Sequence, residues 1–170
     1  MKHKVTILLF LTVMCFRCIY GQTPVSNSFS INVQARVAND VPVEITTLQH
    51  MTISRAMGTG SCVIYISPIN SSFAGLMQAR GRPGTQVRME YVTHEELPAK
   101  NEAGTIIIQY VMSGNKELVQ EASLLIDTGE FEFILNDEGM YYLWLGGWVH
   151  LEKAVPGTYK GEFSIEIQYI

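Results

Sequence analysis

The sequence has 170 residues, of which 47% are hydrophobic and 16% charged, and its formal net charge is −4 at pH 7. This content of aliphatic and aromatic residues excludes a disordered chain. The acidic balance argues against binding to nucleic acid or to an anionic membrane surface, because both require concentrated lysine and arginine.

The first 21 residues have the layout of a secretory signal peptide. Lys2-His3-Lys4 is a basic start, Val5 to Phe16 is a run of apolar residues and threonine, and Gly21 precedes a polar residue. We expect cleavage after Gly21. The apolar run has 12 residues, whereas a membrane span needs roughly 20. We therefore expect no transmembrane anchor after cleavage, and we predict export to the periplasm, the cell surface or the medium. A retained anchor, or a lipid on Cys15 or Cys18, is the alternative.

The predicted mature chain, residues 22–170, has the size of one domain. Removal of residues 1–21 takes away three of the 12 basic residues and none of the 16 acidic ones, so the net charge falls to −7. Cys62 is the only cysteine left, so the mature chain cannot form an internal disulfide. Cys62 stands in an apolar run and is expected to be a small buried residue, with a reactive or intermolecular thiol as the alternative.

The segments at the two ends of this domain alternate between apolar and polar residues, which is typical of half-buried antiparallel strands. The apolar positions of the first segment are Phe29, Ile31, Val33, Ala35 and Val37. Those of the second are Phe163, Ile165, Ile167 and Tyr169.

Several shorter segments between them are rich in β-branched and aromatic residues and are predicted to be strands. These are Val41 to Ile45, Leu48 to Ile53, Val63 to Ile66, Val87 to Val92, Thr105 to Val111, Leu124 to Ile126, Phe131 to Leu135 and Tyr141 to Leu151. Turn residues separate them, including Ser113-Gly114-Asn115, and Lys116 to Ser123 has room for one or two helical turns. The pattern predicts a single all-β domain, folded as an antiparallel sandwich or barrel.

No pattern of catalytic or metal-binding residues is evident. His50, His94 and His150 stand singly, and His94-Glu95-Glu96 is predicted to be a solvated loop. Nucleophile-elbow, P-loop and dinucleotide motifs are absent from the sequence. We therefore expect a protein that is not an enzyme and that has no cofactor or metal.

A cluster of arginines stands out in this acidic chain. It comprises the segment Arg80-Gly81-Arg82-Pro83-Gly84, together with Arg88. The cluster is suited to docking an acidic partner or a sulfated glycan. Pairing of these arginines with carboxylates of the same chain is the alternative.

The aromatic segment from Tyr141 to Trp148 is the strongest candidate for a ligand-binding surface. In a strand, Tyr142, Trp144 and Gly146 lie on one face, and Trp148 follows on that face. Exposed rings at Tyr142, Trp144 and Trp148 would stack on a glycan or enter a partner's groove. Burial in the core is the alternative, and Gly146-Gly147 indicates a bulge or a close backbone approach.

The C-terminal part of the sequence resembles a known family. The segments that carry the resemblance are Gly146 to Leu151, Pro156 to Gly161 and Phe163 to Tyr169, and a weaker match covers Val33 to Ile53. They are similar to the bacterial secreted domains called DUF4402, relatives of spore coat protein U and of pilin-like subunits. Chaperone–usher pilins also tend to have a penultimate aromatic residue, as at Tyr169, and a glycine fourteenth from the end, although many carry a disulfide that is missing here.

The resemblance implies an immunoglobulin-like sandwich that lacks one strand. A groove would then receive the N-terminal segment of another copy or of a related subunit by β-strand addition, and a periplasmic chaperone would read the last strand. Phe29 to Val37 has the form of such a donor; the alternative is that it is the domain's own first strand. We expect an exported, non-enzymatic protein with a surface-structural or adhesive role. The alternative is a stand-alone periplasmic or cell-surface binding module, with carbohydrate as the expected ligand.

Overall fold

The structure is a computed structural model, and six stretches of the chain are described in it. They are residues 29–37, 43–53, 62–99, 104–126, 128–155 and 159–170. The predicted signal peptide and its cleavage site, like the Pro156-Gly157 turn, lie outside the described residues.

The described residues form eleven β-strands, a single 3₁₀ turn at Gln120–Ala122 and no α-helix. The strands are β1 (Phe29–Val37), β2 (Glu44–Gln49), β3 (Val63–Ile66), β4 (Gly75–Arg80), β5 (Gln86–Tyr91), β6 (His94–Pro98), β7 (Thr105–Asn115), β8 (Leu124–Ile126), β9 (Glu130–Ile134), β10 (Met140–His150) and β11 (Tyr159–Tyr169).

The strands are arranged in two sheets. The smaller sheet has the order β1-β11-β5-β9, in which β1 runs parallel to β11 and the other neighbours are antiparallel. The larger sheet has seven antiparallel strands in the order β2-β4-β10-β7-β6, with β3 beside β10 and β8 beside β7. Its two long central strands, β7 and β10, therefore each have two short strands placed end to end along their outer edge.

The two sheets pack face to face around one apolar core. Alternate side chains of β7 are buried, and the ring of Tyr110 lies 4.8 Å from that of Phe163 on β11 in the other sheet. At the far end of the core, Phe133 of β9 and Tyr141 of β10 stack with ring centroids 4.3 Å apart. These ring contacts join side chains from opposite sheets, as expected for a sandwich. The predicted all-β, two-sheet architecture is thus confirmed, and its strand pairs are antiparallel except for β1, which was predicted to be antiparallel and runs parallel to β11.

Two strands were not predicted from the sequence, and one predicted turn was wrong. The strands predicted at Val41 to Ile45 and at Leu48 to Ile53 are, in the described residues, the single strand β2, and residues 50–53 are not in a strand. β4 and β6 are both paired in the larger sheet, so His94-Glu95-Glu96 belongs to a strand and not to a loop. Ser113-Gly114-Asn115 continues β7, where it pairs with β10. Gly114 fits this position because a side chain there would collide with the ring of Tyr141 on the neighbouring strand.

Candidate functional site

The nine residues of β1 form the outer edge of the smaller sheet. They pair in register with β11, from Phe29 opposite Tyr159 to Val37 opposite Ile167. On its other side β11 pairs with β5 only from Ile165 to Tyr169. The ladder of the first half of β11 is therefore formed with β1, apart from a single bridge between Ala99 and Tyr159. The proposed donor segment thus lies on β11 of its own chain in this structure.

The four candidate residues of β11 point towards the core. Phe163, Ile165 and Ile167 are buried, and Tyr169 is half-buried. The Tyr169 hydroxyl accepts a hydrogen bond of 3.0 Å from the backbone N–H of Arg82. The alternation predicted from the sequence therefore gives this strand its buried face, and Tyr169 fastens its end to the turn between β4 and β5.

Strand β10 presents different environments on its two faces. Tyr141, Leu143 and Leu145 are buried on the inner face, as the core alternative predicted. Burial raises the pKa of the Tyr141 phenol to about 12. The three candidate ligand-binding residues all lie on the outer face, where their surroundings differ.

Trp144 is not available to a ligand, and its inclusion in the candidate surface was wrong. Its side chain is 4% exposed. Residues 67–73, which we call the 67–73 loop, pass close to Trp144. Ser113 is the cross-strand partner of Trp144 on β7, and its hydroxyl donates a 3.0 Å hydrogen bond to the Pro68 carbonyl. Gly146 lies next to Trp144 on the same face, and a side chain there would collide with Pro68 and with the carbonyl of Ile66. The predicted close backbone approach at Gly146 is confirmed.

Hydrogen bonds from three other elements hold the 67–73 loop in place. The Nε2 of Gln120, in the 3₁₀ turn, donates to the carbonyls of Pro68 and Ser71, both at 3.0 Å. The Nε2 of Gln49 on β2 donates to the Ser72 carbonyl at 2.8 Å. Together with the Ser113 bond from β7, these contacts fix the loop against the sheet.

Trp148 is exposed and stacks on a residue that was not among the candidates. Its side chain is 43% exposed and that of Tyr65 on β3 is 45% exposed. The two residues are cross-strand partners, and their ring centroids lie 4.3 Å apart with an interplanar angle of 30°. We call Tyr65 and Trp148 the aromatic pair. Tyr65 was missed because a short strand flanked by apolar residues does not reveal which face remains open.

Polar groups surround the aromatic pair on two sides. Gln109 of β7 lies opposite Trp148, and His94 of β6 lies opposite Gln109, and both are exposed. On the other side, beyond Tyr65, is an open pocket of about 580 Å³, which we call the serine-rich pocket. Its described lining consists of Tyr65, Ser67, Asn70, Ser71, Ser72 and Phe73.

Tyr142 lies at the opposite end of β10 from Trp148. It is half-buried, and its hydroxyl accepts a 3.3 Å hydrogen bond from the Nε2 of Gln78. It lines a separate pocket together with Leu118 and Ile134. Tyr142 and Trp148 share a face of the sheet but do not belong to one surface feature.

The arginine cluster is divided between different contacts. Arg88 lies on β5 and makes ion pairs with Glu132 at 2.6 Å and with Glu130 at 3.3 Å. The hydrogen bond and charge of Glu132 raise the pKa of the Arg88 guanidinium. The Arg82 guanidinium lies 5.7 Å from the ring centroid of Tyr169. The contacts of Arg88 agree with the alternative in which an arginine pairs with carboxylates of its own chain.

The remaining reactive groups are dispersed. His94 lies on β6, His150 on β10 and His50 just after β2, and the described residues contain no group of three metal-capable side chains. Cys62 is exposed, so the prediction that it is buried was wrong. It directly precedes β3, in which Ile64 and Ile66 are buried and Tyr65 is exposed.

A buried tyrosine–carboxylate contact joins β7 to β6. The Tyr110 hydroxyl donates a 2.7 Å hydrogen bond to Oε2 of Glu95. Burial, with the hydrogen bond and charge of Glu95, raises the pKa of Tyr110 well above its usual range. The phenol therefore stays protonated and serves as a packing and hydrogen-bonding group.

Comparison of the sequence with protein-family models and with curated proteins finds no match. The resemblance to DUF4402 domains accordingly stays a prediction. In the described part of the chain, no helix has the length and apolar character required to cross a membrane.

Proposed function

We propose that the protein is an exported, non-enzymatic, immunoglobulin-like sandwich with a surface-structural or adhesive role, and that its copies assemble by exchanging β1. The observation that carries the proposal is the parallel pairing of β1 with β11 at the edge of the smaller sheet. The signal-like segment at residues 1–21 supports export.

β1 is the long strand that is most readily exchanged. It has one neighbour, while β7 and β10 are paired along both edges. Parallel pairing is also slightly less stable per residue than antiparallel pairing. If β1 of one copy pairs with β11 of another, the ladder has the same register, so the exchange mainly costs the entropy of association.

The acceptor strand β11 is anchored by its own side chains. Phe163 and Ile165 are anchored in the core, so β11 would present its backbone edge to an incoming strand in a fixed orientation. In the first half of β11, from Tyr159 to Ser164, the backbone pairs with β1, apart from the single bridge between Tyr159 and Ala99. A strand from another copy, or from a chaperone, would complete the sheet by β-strand addition.

A disulfide trap tests the exchange directly. Gln34 lies opposite Ser164 in the register, and Ser164 is exposed. Neighbouring strands are about 4.8 Å apart, within the range of Cα separations that a disulfide spans. The double variant Gln34→Cys/Ser164→Cys is made in a Cys62→Ser background and oxidised at high protein concentration. We expect ladders of covalently linked copies on a non-reducing denaturing gel.

The register of β1 with β11 also defines a control pair of cysteines and the result that would contradict the exchange. The pair Gln34→Cys/Gln168→Cys is out of register by four residues, and it should give few links. If the in-register pair gives only internally crosslinked monomer at every concentration, β1 is simply the domain's own strand. A second check removes residues 22–38: exchange predicts that the oligomers disappear, so oligomers that persist without this segment would exclude a donor role.

A further inference from the structure

Two exposed aromatic rings stack on each other on the outer face of the larger sheet, and we propose that their open faces bind a neutral glycan. Tyr65 and Trp148 are 45% and 43% exposed, with ring centroids 4.3 Å apart. Because the two rings stack on each other, each keeps its outer face and edge open, and the C–H groups of a sugar ring pack against such a face. The Trp indole N–H and the Tyr hydroxyl also give each ring a polar group for the sugar hydroxyls.

The groups around the aromatic pair match the hydroxyl groups of a sugar. Gln109 on β7 is the cross-strand partner of Trp148, and His94 on β6 is the cross-strand partner of Gln109. The two residues therefore continue the line of side chains that begins with Tyr65 and Trp148. On the other side, the serine-rich pocket is lined by serine, asparagine and aromatic side chains. Hydroxyl and amide groups both donate and accept hydrogen bonds, as a glycan requires.

The local charge favours a neutral glycan over an anionic one. The six described residues that line the serine-rich pocket are all uncharged. The exposed carboxylate of Glu96 lies on the same face, one row away from His94. Arg88 lies on β5, in the other sheet, where it is paired with glutamates. The described lining therefore offers a sulfated or uronic-acid chain no lysine or arginine, and Arg88 already pairs with Glu130 and Glu132.

The pocket wall is held in place before any ligand arrives. The 67–73 loop is fixed by the side chains of Gln120, Gln49 and Ser113. Phe73 is fixed at both backbone groups: its N–H donates to Ser71 Oγ at 3.3 Å, and its carbonyl accepts from Thr52 N–H at 3.0 Å. A preorganised wall lowers the entropy lost on binding.

A protein partner fits this surface less well than a glycan does. The cores of protein interfaces are contiguous apolar areas in which charged residues are depleted. Here the rings are bordered by Gln109 and His94 on one side and by Ser67 and Asn70 on the other. The proposal does not depend on the exchange of β1, because the aromatic pair belongs to the other sheet.

Affinity electrophoresis and tryptophan fluorescence test the proposal. Protein purified from expression of the full chain is run through gels containing neutral polysaccharides: β-glucan, xylan, mannan, chitin fragments or starch. We expect at least one to retard the protein. The same polysaccharide should change the emission of Trp148, which is exposed, while Trp144 at 4% exposure contributes a constant background.

Single substitutions assign the binding to the aromatic pair. Trp148→Ala and Tyr65→Ala should each weaken binding about tenfold or more, since one stacking ring is lost. Trp148→Phe retains a ring and should keep most of the affinity. The matched control is Tyr142→Ala, on the same strand and face but six positions away, which should bind within twofold of the original. Circular dichroism checks that each variant is folded.

Three results would overturn the proposal. One is that no neutral polysaccharide retards the protein. Another is that Trp148→Ala and Tyr65→Ala bind as well as the original protein. The third is that Trp148 emission depends on protein concentration without added glycan, because the aromatic pair would then be an interface between copies.

Discussion

Trp144 and Trp148 lie on the same face of the same strand, yet one is 4% exposed and the other 43%. The difference comes from the 67–73 loop, which crosses β10 at Gly146, between the two tryptophans. Towards Trp144 the loop acts as a cover, and towards Tyr65 it forms the wall of the serine-rich pocket. Alternation therefore determines the face of a residue, and a segment from elsewhere in the chain determines whether that face is open.

The largest expected effect is the difference in stability between alanine variants of the two tryptophans. Trp144→Ala removes a buried ring and should lower the free energy of unfolding by about 3–5 kcal/mol. Trp148→Ala loses an exposed cross-strand contact and should cost about 1 kcal/mol or less. Urea unfolding followed by circular dichroism measures both. Equal losses would mean that the two rings have similar surroundings, and the comparison would fail.

A substitution at Gly146 should remove the cover without altering either tryptophan. In Gly146→Ala the new methyl group collides with the Ile66 carbonyl and with Pro68, at an expected cost of about 1–3 kcal/mol. Acrylamide quenching of Trp144 should increase as the loop is displaced. The matched control is Gly84→Ala, at a φ of +66° with no atom near the added methyl. It should lose about 1 kcal/mol from backbone strain alone and leave quenching unchanged.

The smallest expected effect concerns the hydrogen bonds of the loop. Gln120→Ala removes two bonds to loop carbonyls and should cost about 1–2 kcal/mol. It should also weaken glycan binding severalfold, although the aromatic pair is untouched. Gln86→Ala, which loses a surface bond to Glu132 on the smaller sheet, is the control and should preserve binding. If Gln120→Ala binds glycan normally, the pocket wall does not contribute to the site.

Much of the fold could be predicted from the spacing of apolar residues. β1, β3 and β8 begin and end where the sequence pattern placed them. β4 was missed because glycine, methionine, glutamine and alanine give Gly75–Arg80 a weak strand propensity. β6 was missed because it consists of polar residues, a leucine and a proline. Both are strands because a neighbouring strand provides their hydrogen bonds, and local propensity does not include that contribution.

The candidate site was less predictable than the fold. The aromatic pair joins residues 65 and 148, and only the register of β3 with β10 brings them together. The 67–73 loop that passes close to Trp144 is held by Gln120 and Gln49, which are also distant from it in sequence. Cys62 shows the same limit, because it is exposed although Ile64 and Ile66, at the alternate positions after it, are buried. The periodicity of apolar residues identifies the two faces of a strand. A surface site, in contrast, forms from residues that the pairing of strands distant in sequence brings together.

The parallel pairing of β1 and β11 also imposes an order of events during synthesis. Phe29 and its partner Tyr159 are 130 residues apart in the chain, and closing a loop of that length costs about 4 kcal/mol of entropy. β1 therefore has no partner of its own until almost every other strand has been made, and late contacts of this kind slow folding. Throughout that delay it is an unpaired strand, open to capture by any molecule with a free sheet edge.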